Sequence, residues 1–215
     1  MDVDDEFIRL RTTIVDLSDG TPVRVRPIVP ADKPRIAEGL AELSAESRYL
    51  RFLRPVDHLS SEELAYLTQI DYRTHFAWGA ELARGREHRG IGLARYVCQT
   101  DDPATAEAAV AVLDAYQGRG LGGILLSLLA ESALGNGVQR FRSYVLSANR
   151  KVLEALERPG IERQDEGGMV RFDVPLPLPV DAIRDSGLYE TLRAVARGEA
   201  KVRPFRLGEL RNRIG

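Results

Sequence analysis

Apolar and polar positions first alternate at Val23-Arg24-Val25-Arg26, after the turn Gly20-Thr21-Pro22, which predicts a half-exposed strand. The period then lengthens. Ile36, Leu40 and Leu43 fall at helical spacing, Ser44 opens a second short segment holding Tyr49, Leu50 and Phe52, and Ser60 with Glu63 makes a capping box ahead of Leu64 and Leu67. From His75 the period is two again, so residues 75–82 and 90–97 read as a hairpin joined by a polar turn at 84–89. Residues 107–113 are apolar on both faces after Glu107, as a central strand would be. Leu121, Ile124, Leu125, Leu128 and Leu129 mark one buried helix face, ended by Gly135-Asn136-Gly137. A strand at 141–146, a short helix at 149–157 and a strand at 169–174, stopped by Pro175, complete the pattern. The predicted order is strand, helices, three strands, helix, strand, helix, strand, with no internal repeat.

Residues 1–14 read as a tail, 15–178 as one domain and 179–215 as a basic, helical extension around Leu188, Leu192 and Val195. In that extension Arg193, Arg197, Lys201, Arg203, Arg206, Arg211 and Arg213 face only Glu199 and Glu209. Such a run reads first as a solvated end and only second as a contact for an acidic partner or nucleic acid. Composition narrows the classes. The 215 residues are 44% hydrophobic, ordinary for a globular domain, and 30 basic against 32 acidic residues give a net charge of −2, which disfavours sequence-blind nucleic-acid binding. One cysteine, Cys98, allows no internal disulfide, and three histidines make a structural zinc site improbable, so no metal is expected. The acidic start and the shortness of the apolar run at 124–130 point to a cytoplasmic protein without a membrane partner. Oligomeric state is not readable.

The most informative stretch is Tyr116-Gln117-Gly118-Arg119-Gly120-Leu121-Gly122-Gly123. Glycines between a buried strand and a helix let main-chain N–H groups converge on an anion at the positive end of the helix dipole. Gly122-Gly123-Ile124 lacks the Lys-Ser/Thr that ends a nucleoside-triphosphate loop. Gly118-x-Gly120-x-x-Gly123 matches the dinucleotide fingerprint, but residues 138–147 supply no acid to hold a ribose.

The remaining match, Gln117-x-x-Gly120-x-Gly122, resembles the GNAT acetyltransferase superfamily. Further segments in the right order resemble Pat-type bacterial protein lysine acetyltransferases. They are Gly20-Thr21-Pro22-Val23-x-Val25-Arg26-Pro27, Ser47-Arg48-Tyr49-x-Arg51-Phe52, Ala106-Glu107-Ala108 and Asp114-x-Tyr116-Gln117-Gly118-Arg119-Gly120-Leu121-Gly122. The resemblance implies an α/β (α+β) fold: a mixed, mostly antiparallel sheet with a splayed pair of central strands, flanked by helices. It also implies acetyl-CoA as donor. Its diphosphate would lie on the N–H groups of Gly118, Arg119, Gly120, Leu121, Gly122 and Gly123 beside Gln117, with Arg119 as a candidate phosphate ion pair. Its pantetheine would run along Val110 and Val112 and touch Asn149. Pat-type proteins are often fused to a cyclic-nucleotide-binding domain, for which this chain has no room, so that control is not carried over.

Acetyl transfer to an amine needs a base, because an ammonium of pKa ~10.4 is not nucleophilic at neutral pH. Glu107 is the candidate. It opens an apolar strand, whose walls would raise its pKa, and it stands where Pat-type enzymes place a glutamate. A main-chain N–H in residues 110–112 is the candidate oxyanion donor. Many GNAT enzymes carry a tyrosine general acid seven residues after the asparagine; here that position is Leu156. Tyr144 is a possible substitute, although core packing suits it better, and Pro159 should end the preceding helix early. His75 and Cys98 read as structural, and Asp71 and Tyr72 as possible groove residues. The expected function is therefore acetylation of a primary amine. A protein lysine is the first choice, a small amine the second, and a non-catalytic acyl-CoA sensor the rival.

Overall fold

A computed structural model of the chain describes residues 5–83, 89–178 and 186–199. In chain order the elements are α1 (Asp5–Leu10), β1 (Thr13–Asp16), β2 (Pro22–Pro27), α2 (Lys33–Glu42), α3 (Ala45–Phe52) and α4 (Ser61–Thr68). Then come β3 (His75–Leu82), β4 (Gly90–Cys98), β5 (Thr105–Val112), α5 (Leu121–Gly135), β6 (Arg140–Leu146), α6 (Arg150–Leu156), β7 (Glu162–Glu166), β8 (Met169–Pro175) and α7 (Ser186–Arg197). The strands form one sheet in the order β1-β2-β3-β4-β5-β6-β8-β7. Every pairing is antiparallel except β5 with β6. The turn expected at 84–89 falls mostly outside the described residues, as do 179–185 and the basic positions from Lys201 onward.

Two strands are absent from the hydrophobic pattern, for different reasons. β7 reads Glu-Arg-Gln-Asp-Glu and buries no residue, so an edge strand with both faces wet leaves no period-two signature. β1 is only four residues long, although Thr13 and Val15 are buried against the core. The expectation of a tail over residues 1–14 is corrected for residues 5–14, residues 1–4 lying outside the described residues. α1 lays Phe7 against Tyr72, with centroids 5.0 Å apart, and Thr13 begins an edge strand paired to Val25.

The core forms where period-two strands meet the long helix. Phe76, Trp78 and Tyr96 share one face of β3 and β4, and the Trp78 indole N–H donates to Ser132 on α5 at 3.0 Å. Gly92 lies on that same face, where an added Cβ would meet Leu125 Cδ1 at 3.0 Å, so α5 packs closely there. α7 covers α5: Leu188, Leu192 and Val195 are buried, and Glu131 of α5, 3% exposed, accepts from Tyr189 and pairs with Arg193 and Arg197. Those two arginines of the basic extension therefore neutralise a buried carboxylate. The opposite face of β3 to β5 is covered by α2, α3 and α4. Among the described residues, no helix is long and apolar enough to cross a membrane.

Candidate active site

The site begins with a break in the sheet. β5 and β6 pair only through Thr105–Glu107 against Arg140–Arg142, and beyond that they part. Ser143 Oγ donates to the Ala108 carbonyl at 3.1 Å just past the last pair, so the divergence has a polar hinge. In an antiparallel ladder the N–H and C=O of one residue point to the same side. Leu113 N–H donates to Ile91 on the β4 side, whereas the Ala108 carbonyl faces β6. By that parity Val110 and Val112 turn their main-chain groups into the gap. The Val112 carbonyl is taken there by Gln117 Nε2 at 3.1 Å.

The gap leads to the head of α5. Gly118 and Gly120 stand at φ +73° and +89°, a region that costs a residue with a Cβ about 1–2 kcal/mol. Among the described residues, the N–H groups of Gly118, Arg119, Gly120, Leu121, Gly122 and Gly123 donate to no protein acceptor. Six donors left open at a helix start, in a polar and partly exposed loop, form an anion cradle. Arg119 already has a partner for its charge in this structure. Its guanidinium pairs with Asp19 at 2.6 Å and lies over the Tyr116 ring, and its carbonyl accepts from Ser18, so it ties the loop to the β1–β2 turn. Asn149 caps α6, its Oδ1 accepting from Val152 N–H at 3.3 Å.

Glu107 opens on the other face of the sheet, opposite Val97 and in register with Arg142. The expected apolar walls are not there. Glu107 is exposed and faces a groove lined by Arg51, Tyr66, Arg95, Gln99 and Arg142, with Phe52, Leu59 and Leu67 at its apolar end. Arg142 is held bidentate by Asp173 at 2.7 and 3.0 Å. Arg95 donates to His75 Nε2 at 2.8 Å and lies over the Tyr66 ring. Burial, then the Arg95 charge, push His75 down to about 4 against the opposing pull of Asp71, so at neutral pH its ring is an uncharged acceptor. His75 is structural, as expected from sequence.

That burial carries a pH signature. An unfolded histidine binds its proton near pH 6.5 and the folded one near 4, so the unfolded state holds more protons between these values. Stability should then be full above pH 6.5 and fall by up to about 3 kcal/mol as pH drops through 4. His75→Gln should flatten that part of a melting-temperature profile between pH 4 and 7. An unchanged slope would assign the acid sensitivity elsewhere.

The remaining sequence candidates resolve as follows. Asp71 accepts from the N–H groups of Arg73 and His75 and from Thr74, and the Tyr72 hydroxyl donates to Ile28, so both build the turn before β3 and neither serves a groove. Leu156 packs against the core, and α6 offers no phenol. Tyr144 is half-buried and outside the core cluster, on the part of β6 that has left β5, which corrects its reading as a packing residue. Cys98 is partly buried, and burial pushes its thiol up, away from the reactive form. Sequence reasoning missed the roles of Arg51, Arg95 and Asp114. Asp114 accepts from Ser44 N–H and from Ser47 Oγ at 2.6 Å, which fastens α3 to the glycine loop. The signal for Arg95 was a lone charge in an otherwise apolar strand.

A model of the acetyltransferase (GNAT) domain matches residues 23–162. The chain belongs to the GNAT acetyltransferase family. It is 35% identical over 170 residues to acetyltransferase Pat of Mycolicibacterium smegmatis, covering 79% of this chain and 50% of that protein. It is 33% identical over 137 residues to acetyltransferase PA5475 of Pseudomonas aeruginosa, covering 64% and 73%. The crystal structure of the GNAT domain of S. lividans PAT superposes with a TM-score of 0.70 at 31% identity, covering 77% of this chain and 97% of that one. The chain thus spans about half the length of the first of these relatives. The mixed sheet with its splayed central pair is the GNAT architecture, and the family is one of acyltransferases.

Proposed function

We propose that this GNAT-family chain transfers an acetyl group from acetyl-CoA to a primary amine, with a protein lysine as acceptor. The observation that carries the reading is a pair of main-chain donor sets at the two ends of one gap. Val110 turns its N–H into the space between β5 and β6, and six unpaired N–H groups form the cradle at Gly118 to Gly123, while Leu113, Tyr116 and Gln117 between them are bonded within the protein. A diphosphate fits the cradle by charge and by donor number, and an amide-bearing arm fits the strand edge that β6 has vacated. Lysine as acceptor is supported by likeness to Pat-type relatives rather than by geometry.

In this reading the cradle holds the donor and Gln117 Nε2 keeps the Val112 carbonyl occupied, which fixes the strand edge. Val110 N–H is the donor placed to take the oxyanion of the attacked thioester. The amine nitrogen bonds to the thioester carbon as the carbon–sulfur bond breaks. Glu107, directly or through water, takes the proton released by the amine. With Leu156 at the tyrosine position, the leaving thiolate takes its proton from solvent, which a thiol of pKa ~8.5 permits.

Incubating the protein with acetyl-CoA and lysine peptides should release free thiol in step with acetyl-lysine. Tight acetyl-CoA binding with no thiol release for any protein or small amine would contradict transfer and favour a sensor.

A further inference from the structure

We propose that Arg51 and Arg95 form an anion subsite beside Glu107, so that the favoured acceptor carries a carboxylate close to the reacting amine. The inference rests on the acetyl-transfer reading and names its substrate class. Its basis is an asymmetry among the arginines on this side of the molecule. Arg48 lies near Asp57, Arg54 pairs with Glu63, and Arg142 is held by Asp173. Arg51 and Arg95 have no carboxylate within ion-pair distance among the described residues, yet both line the groove that holds Glu107.

Their situation is costly. Arg95 is only 6% exposed, and its partners are a neutral imidazole and the face of a phenol ring. Burial, then repulsion from Arg95, push Arg51 down to about 10, with Glu107 pulling the other way. Arg51 is therefore still charged at neutral pH. A buried guanidinium and a half-buried one that share the single nearby charge of Glu107 leave one positive charge uncompensated. The other groove carboxylates do not supply it: Glu63 is engaged by Arg54 and the Ser60 N–H, and Asp101 sits exposed in the β4–β5 turn. An incoming carboxylate would complete the pair, and guanidinium groups suit it because they donate in a planar fork. The same geometry sets the amine against Glu107, so one short zwitterionic segment satisfies all three side chains. A free amino acid and an acidic residue flanking a lysine share this chemistry.

The test compares acceptors that differ by one charge: a lysine peptide with a flanking Asp against the same peptide with Asn, and a free amino acid against its amide. The acid of at least one pair should be favoured by about tenfold or more in kcat/KM, through KM, as one charge-assisted hydrogen bond implies. A preference confined to the peptides assigns a flanking acidic residue, and one confined to the amino acids assigns an α-carboxylate. Arg51→Met should erase the preference by raising KM for the acidic acceptor alone, and Arg51→Lys should retain part of it. Equal kcat/KM within both pairs overturns the subsite, as does a preference that survives in both Arg51→Met and a folded Arg95→Met. Acetyl-CoA binding is measured by calorimetry on the same samples. Binding without discrimination removes the subsite alone, whereas no binding removes the underlying reading and the subsite with it.

Discussion

Glu107→Gln should lower kcat by about 100- to 10,000-fold at neutral pH while leaving acetyl-CoA affinity unchanged, the range expected for loss of a positioned base. The substitution keeps size and polarity but can no longer accept the amine's proton. The deficit should shrink as pH rises toward ~10, where the free amine forms without help. The Glu107 side chain is exposed and makes no hydrogen bond within the described residues, so the variant should fold with a small change in stability. Steady-state kinetics from pH 7 to 10, with calorimetric affinity alongside, read both parts. A variant with wild-type kcat at neutral pH would take Glu107 out of the proton path.

The glycine loop carries the other large effect. Gly118→Ala combined with Gly120→Ala should weaken acetyl-CoA binding by about 100-fold or more, because both positions need positive φ to present their neighbours' N–H groups. Empty space surrounds both positions, with no atom within 4 Å of an added Cβ, so the penalty is in backbone conformation and not in a clash. The double variant should retain its fold, since the α5 face from Leu121 to Ala133 is buried independently of the loop. A melting temperature close to wild type, together with weakened binding, separates loss of the cradle from loss of structure. Unaltered affinity would place the donor elsewhere.

Much of the frame was legible because its elements bury one face. The alternation at Val23 to Arg26, the helical repeat from Leu121 to Leu129 and the Ser60–Glu63 capping box all appear in the structure as read. β7 and β1 were illegible because a wet edge strand and a four-residue strand leave too little pattern. At the site, the glycines were legible since their positive φ is a chemical requirement at that turn. Partnerships across long sequence separations were not. Nothing near Arg119 in sequence announces Asp19, one hundred positions away, and nothing near Glu107 announces Arg51. Glu107 also shows why an apolar strand is a poor guide to a carboxylate's surroundings. Its neighbours along the chain are alanines, but its neighbours in space include Arg95 of β4, Arg142 of β6 and Arg51 of α3.

The central claim is that free main-chain donors at the head of α5 grip the donor's diphosphate, and amide NMR reads it most directly. Titrating the 15N-labelled protein with CoA should move the N–H signals of Gly118, Gly120, Gly122 and Gly123 most strongly, with Val110 following. Saturation of binding while those glycine signals stay in place, with shifts gathered at another surface, would contradict it.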